Sequence, residues 1–306
     1  MIYTITFNPA VDLLMQVDDI KLGDLNRSHE DHYVAGGKGI NASVVFQRLG
    51  KKNIATGFIG GFSGQFIIDE LEAEGVNTHF IELDQPTRIN VKLKGPQETE
   101  INAQGPRVDA DKFQELMTYL NEELTDTDTV FLAGNAAPGL DEKAYISIAK
   151  LCLEKNANFV LDSNKQLLKA CLEYKPFIIK PNREELGELF ETQIESDADL
   201  IKYAKALQEA GALNVLVSLG GDGSLLLTER GDIYRANVPT GKVINSVGAG
   251  DSMLSGFISA YVESKDYAES LKIAAATGSG TAFSVGITTK DLVEELVDQI
   301  VVKKEN

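Results

Sequence analysis

Two short apolar runs, Phe159-Val160-Leu161-Asp162 and Phe177-Ile178-Ile179-Lys180, flank a stretch of helical character that contains Cys171. Neither run alternates polar with apolar, which suits parallel strands covered on both faces. Further out, Val130 to Ala133 and Asn214 to Leu219 have the same character. Between these runs apolar residues recur on one helical face, as Phe113, Leu116, Leu120 and Leu124, and again as Leu200, Tyr203, Ala204 and Leu207. From about residue 110 onward this strand, helix, strand rhythm predicts an α/β fold with a doubly wound, mostly parallel sheet.

The amino-terminal third reads differently. Val11 to Val17, Arg27 to Val34, Thr87 to Lys94 and Glu98 to Ala103 look like strands with few helices between them, and Gly95-Pro96 is placed to turn the last pair. These predict a small antiparallel sheet inserted into the larger domain. The expected division is an α/β core of residues 1–11, 36–85 and 105–306, with a discontinuous β lid of 12–35 and 86–104.

Composition narrows the function. The 306 residues carry a formal charge of −17, which excludes a surface built for nucleic acid or anionic lipid, because phosphate backbones need clustered Lys and Arg. An anionic substrate must then be held by a few local cations. No apolar run approaches the ~20 residues that cross a bilayer, so no membrane association is expected. The opening strand, Met1 to Phe7, reaches Asn8-Pro9 without a basic leader, and a cytoplasmic location is the expectation. Cys152 and Cys171 lack metal or redox spacing and read as core thiols; His29, His32 and His79 show no metal spacing either.

Two segments carry chemistry. In Ala35-Gly36-Gly37-Lys38-Gly39-Ile40-Asn41, three glycines let backbone approach a ligand at a helix start, while Lys38 and Asn41 offer side-chain donors. The same residues also read as a strand-to-helix turn that needs glycine. In Val247-Gly248-Ala249-Gly250-Asp251-Ser252, small residues leave amides exposed at the start of an apolar helix, where the dipole favours negative charge. Asp251 either caps that helix or faces a hydroxyl that it deprotonates while the amides stabilise a transferring phosphoryl group.

Together, Gly36 to Asn41 and Gly248 to Asp251 resemble the two signatures of the ribokinase-like PfkB family of carbohydrate kinases, in order and spacing, over essentially the whole chain. The resemblance implies a three-layer α/β/α core with a β lid, and transfer of a phosphoryl group from ATP, with Mg²⁺, to a sugar hydroxyl. It assigns the base to Asp251 and the anion hole to the amides of Gly248, Ala249 and Gly250. It places Lys180 and Asn182 on the nucleotide side, with Glu185 organising Mg²⁺ through water. Ser218, Gly220, Gly221 and Gly223 would line ATP, and Ser279 and Thr281 would pack near the adenine. Without the resemblance, Glu184 and Glu185 are simply first-turn acids favoured by a helix dipole.

The opening Asn8-Pro9-Ala10-Val11-Asp12 resembles the phosphosugar branch of that family. A phosphorylated ketohexose is the implied acceptor, with fructose 1-phosphate preferred over tagatose 6-phosphate. Asp12, Gly37 and Asn41 would hold sugar hydroxyls, and Arg27, Lys38 and Arg88 would form a cationic pocket for the phosphate. Asn135 stands where relatives often carry serine, which leaves its contact open. An open four-stranded lid with exposed edges predicts a homodimer clasped through the lids.

Overall fold

The unbroken apolar strands lie in the middle of a ten-stranded sheet. Its spatial order is Val302–Glu305, Ile233–Ala236, Ser224–Leu227, Asn214–Ser218, Ile178–Ile179, Asn158–Asp162, Thr129–Ala133, Ile2–Thr6, Asn53–Gly60 and Asn77–Leu83. The seven strands from Asn214–Ser218 to Asn77–Leu83 are parallel, and three antiparallel strands extend the other edge. The computed structural model describes residues 1–305. Among them no helix is long and apolar enough to cross a membrane.

The absence of alternation in these strands has a direct cause. Val130 and Leu132 point into one core and Phe131 and Ala133 into another on the opposite face, and Phe159 and Leu161 are likewise separated from Val160. With both faces covered, each position must be apolar, and each buried Leu or Ile side chain contributes about 1.5–3 kcal/mol. The helix Ala110–Glu123 buries Leu116 and Leu120 as its period requires, and Asp197–Glu209 buries Leu200, Ala204 and Leu207. Cys152 and Cys171 are buried free thiols.

A four-stranded sheet stands apart, in the order Glu30–Gly36, Ala10–Gln16, Arg88–Lys94, Thr99–Ile101. It departs from the expected antiparallel sheet in its middle pair. Ala10–Gln16 and Arg88–Lys94 run parallel, with Asp12 opposite Asn90 and Leu14 opposite Lys92. Between them the chain passes through the large sheet and two helices, so it re-enters the lid in its original direction. The third strand also starts late, at Glu30, because the Asn26 side chain pairs with both the N–H and C=O of Lys21 and holds residues 21–26 in an exposed loop. Arg27 is therefore in a loop and exposed, not in a strand.

The sheet's topology positions the site. From Ile2–Thr6 the chain builds outward to Asn53–Gly60 on one side and later to Thr129–Ala133 on the other. Ligands of open α/β sheets bind beyond the carboxyl ends of strands at such a reversal. Asp162 ends its strand at this edge, and Lys180 follows Ile178–Ile179 there, released from pairing just before Pro181.

Candidate active site

The helix Ala249–Ser264 opens on Gly248, whose φ of 78° lies in the left-handed region that glycine adopts without strain. A Cβ at 248 would meet Ile287 and Asn41 only at ordinary contact distances of 3.4 and 3.5 Å, so the backbone angle is what calls for glycine. No side chain caps this helix; the Ala249 N–H donates to the Ser246 carbonyl at 3.2 Å, which leaves the amides of Gly250 and Asp251 for an anion. Asp251 sits in the first turn, 7% exposed, and its Oδ2 accepts a 3.1 Å hydrogen bond from Asn41 Nδ2. It does not serve as the helix cap.

Asn41 and Lys38 come from the helix Lys38–Arg48, which begins after Gly37 at φ 129°. A Cβ at Gly37 would lie 3.0 Å from Thr6 Cγ2, and one at Gly39 only 2.3 Å from Thr6 Oγ1. These two glycines let the helix pack against the end of Ile2–Thr6, while the side chains between and after them reach the site. The reading as a strand-to-helix turn that needs glycine is thereby met.

Four charges interleave here. Lys38 Nζ lies 3.0 Å from Asp162 Oδ1 and 3.9 Å from Asp251 Oδ1, and Lys180 Nζ lies 3.9 Å from Asp162 Oδ2. A Cβ at Gly250 would stand 3.0 Å from Lys180 Nζ, so that ammonium overlies the first turn of this helix. Burial, and next the charge of Asp162, push the Asp251 carboxyl up to about 6. Burial also opposes the ionised form of Asp162, but the charges of Lys180 and Lys38, and the hydrogen bond from Lys38, hold it below the ordinary carboxylate range. For Lys38, burial favours the neutral amine, yet Asp162 and Asp251 outweigh it and raise the ammonium well above its usual value. The result is one carboxylate kept ionised, two ammonium groups and a second carboxyl poised to exchange a proton near neutral pH.

The pfkB family carbohydrate kinase model matches residues 5–293. The chain belongs to the pfkB family of carbohydrate kinases. It is 43% identical to the 1-phosphofructokinase of Bacillus subtilis, across 99% of this chain and 100% of that protein. It is 36% identical to the D-tagatose-1-phosphate kinase of Bacillus licheniformis, across 98% of each. A crystal structure described as a putative phosphofructokinase from Staphylococcus aureus superposes with a TM-score of 0.90 at 40% identity, covering 100% of this chain and 99% of that one.

Within this pfkB kinase, several residues on the expected nucleotide side are engaged by the fold. Asn182 Oδ1 accepts from the Glu185 N–H and Glu185 Oε2 from the Asn182 N–H, both at 2.8 Å, forming a reciprocal cap on Arg183–Leu189. The Asn182 side-chain oxygen is thus committed to the helix. Thr281 is fully buried: its hydroxyl donates to Ser252 Oγ at 2.8 Å and accepts from the Thr288 N–H. It ties two helices together and offers no side chain to an adenine; Ser279, two residues earlier on the same helix, is half-buried. In the loop after Ser218, Gly220 and Gly221 have open space where a Cβ would be, whereas at Gly223 a Cβ would sit 2.1 Å from the Ala236 carbonyl oxygen. Gly223 answers to the hairpin, and Gly220 and Gly221 leave room for a ligand. Arg183 pairs with Asp222 at 3.1 Å and fastens this loop to the Arg183–Leu189 helix.

On the acceptor side, Asp12 Oδ1 accepts from Asn90 Nδ2 at 2.9 Å and Oδ2 pairs with Lys92 Nζ at 2.9 Å. Asp12 also abuts Gly36, where a Cβ would lie 3.0 Å from Oδ2. The expected cationic trio is not assembled. Lys38 lies between Asp162 and Asp251. Arg88 donates to the backbone carbonyls of Asn8, Pro9 and Ala103, and burial lowers its pKa. Arg27 is in the exposed loop already described. Asn135 is exposed and accepts from Asn164 Nδ2 at 3.0 Å.

Three site residues escaped the sequence reading: Asp162, Asn90 and Lys92. Asp162 had a signal, as a lone acid closing an apolar strand at the carboxyl edge. Asn90 and Lys92 had a weaker one, as polar positions alternating with Ile89, Val91 and Leu93. The residues present suit Mg²⁺ held mainly by phosphates and water. Asp162 Oδ2 is buried without a hydrogen-bond partner and Glu185 Oε2 is used by the helix cap, while no cluster of three His, Cys, Asp or Glu side chains occurs among the described residues.

Proposed function

We propose that this chain transfers the γ-phosphoryl group of ATP to the 6-hydroxyl of fructose 1-phosphate, giving fructose 1,6-bisphosphate. The observation that carries the reading is the placement of Asp251: a buried carboxyl, poised near pH 6, in the first turn of a helix that no side chain caps. The acceptor hydroxyl lies against Asp251, which takes its proton as the oxygen attacks the γ-phosphorus and the bond to the β,γ-bridging oxygen breaks, releasing ADP. The amides of Gly248 and Gly250 face the charge that develops on the transferring group, that of Ala249 being engaged by the Ser246 carbonyl, and Lys38 and Lys180 neutralise it. Lys38 thus acts at the reacting end, not at the sugar phosphate. Mg²⁺, when bound with ATP, supplies further charge neutralisation beside Glu185 and Asp162. Gly220 and Gly221 give the nucleotide space along the Ser218 loop, Asp12 and Asn41 hold acceptor hydroxyls, and Gly37 lets backbone approach them.

A tagatose 6-phosphate acceptor would use the same chemistry. The two relatives described above are both named for sugars phosphorylated at carbon 1, which favours fructose 1-phosphate. In the lid, Leu22 is 95% exposed and Leu25 76%, with Tyr33, Val34 and Ile101 also exposed. Such an apolar surface on an open sheet supports a homodimer clasped lid to lid. The buried free thiols suit the reducing cytoplasm.

The test is kcat/KM with ATP for fructose 1-phosphate, tagatose 6-phosphate, fructose 6-phosphate and unphosphorylated fructose. Fructose 1-phosphate should lead, with fructose poorer by a factor on the order of 10². A higher value for tagatose 6-phosphate changes the acceptor and keeps the mechanism. Preference for an unphosphorylated sugar removes the phosphosugar reading.

A further inference from the structure

Once Lys38, Arg88 and Arg27 are placed, the acceptor phosphate lacks its expected cations. The lid supplies another. In a strand, alternate side chains share a face, so Arg88, Asn90 and Lys92 lie on the same face as Asp12, while Ile89 packs into the core beneath the sheet. Arg88 is bound by carbonyls and Asn90 by Asp12. Lys92 is the cation of this face that remains beside Asp12: its side chain is 16% exposed, 2.9 Å from Asp12 Oδ2 and 3.9 Å from Glu100 Oε1.

We propose that Lys92 is a specificity-determining residue that receives the phosphate of the acceptor sugar. The inference rests on the phosphoketohexose reading above and names the group that enforces it. An ammonium has three donors and Asp12 occupies one direction. The pair with Glu100 is long and lies at the half-exposed rim, where ion pairs contribute little. A phosphate dianion can displace Glu100 and form the stronger charge-assisted contact. Asp12 then remains between Lys92 and Gly36 to accept a sugar hydroxyl, so one ion pair reads two adjacent features of the substrate. Without Lys92, a phosphate there would face the carboxylates of Asp12 and Glu100.

The experiment compares Lys92→Met with the unaltered enzyme. Lys94→Met serves as the control, since Lys94 is on the same strand but pairs with Glu98 near the turn. Lys92→Met should lower kcat/KM for fructose 1-phosphate by about 100-fold, change that for unphosphorylated fructose by less than about threefold, and leave the KM for ATP unaltered. Lys94→Met should change none of these by more than about twofold. In Glu100→Gln, loss of the competing carboxylate should lower the KM for fructose 1-phosphate roughly two- to threefold. Equal loss toward both sugars in a Lys92→Met protein that melts normally would overturn the proposal, as would full retention of fructose 1-phosphate activity or an unchanged KM in Glu100→Gln. If the unaltered enzyme itself prefers fructose, the phosphosugar reading fails, a result separate from any behaviour of the variants.

Discussion

Replacing Asp162 by asparagine tests whether the paired carboxyls set the working pH. Asp251 is raised from 3.8 to about 6, equivalent to roughly 3 kcal/mol against its ionised form. Burial is the largest cause and the charge of Asp162 the second. The base must be ionised, so in the unaltered enzyme kcat/KM should be near its plateau at pH 7 and fall about tenfold per pH unit below about 6. The Asp162→Asn change would keep the size and burial of the site but remove the neighbouring charge. Lys38 and Lys180, relieved of the Asp162 carboxylate, would then have Asp251 as their partner. Both effects favour ionised Asp251, so the acidic limb should move down by about one to two pH units. The assay is kcat/KM for the acceptor at saturating ATP from pH 4.5 to 8, with near-ultraviolet circular dichroism to confirm folding at each pH. The plateau should also fall, because two ammonium groups lose the anchor that orients them. An acidic limb at or above the position in the unaltered enzyme would refute the electrostatic argument.

Asp251→Asn keeps the side-chain volume but cannot accept the proton, so kcat should fall on the order of 10² to 10⁴-fold with little change in ATP binding; near-normal turnover would remove Asp251 as the base. Gly221→Ala should melt within about 2 °C of the unaltered protein while raising the KM for ATP, because open space lies where the methyl goes. Gly223→Ala should instead cost about 2 kcal/mol or more of stability, seen as a lower thermal midpoint, since φ is 92° and the Ala236 carbonyl blocks the methyl. Leu25→Glu in the lid loop should shift a dimer toward monomer in sedimentation at micromolar concentration; an unchanged distribution would place the interface elsewhere.

The parts of this protein that were legible in its sequence are those fixed by local pattern. Apolar runs such as Val130 to Ala133 announce strands covered twice, and Gly248 to Asp251 announces a helix start built of small residues with an acid beside it, while the structure shows that this acid is not the cap. What escaped depends on which side chains meet across the fold. Lys38 adjoins both Gly37 and the lid strand in sequence, so assigning it to the sugar phosphate was natural; its real partners are 124 residues away at Asp162 and farther still at Asp251. Arg88 has the right charge in the right strand, but backbone carbonyls released where the chain leaves the large sheet claim its donors. Lys92 carries the same charge and reaches Asp12 because the register of the two lid strands sets Asp12 opposite Asn90, two residues away on the same face. Charge in a sequence identifies candidates for binding phosphate, and the registry of distant strands decides which of them is free to do so. In this chain the same registry that hides Lys92 from the sequence also sets it beside the carboxylate proposed to bind the sugar.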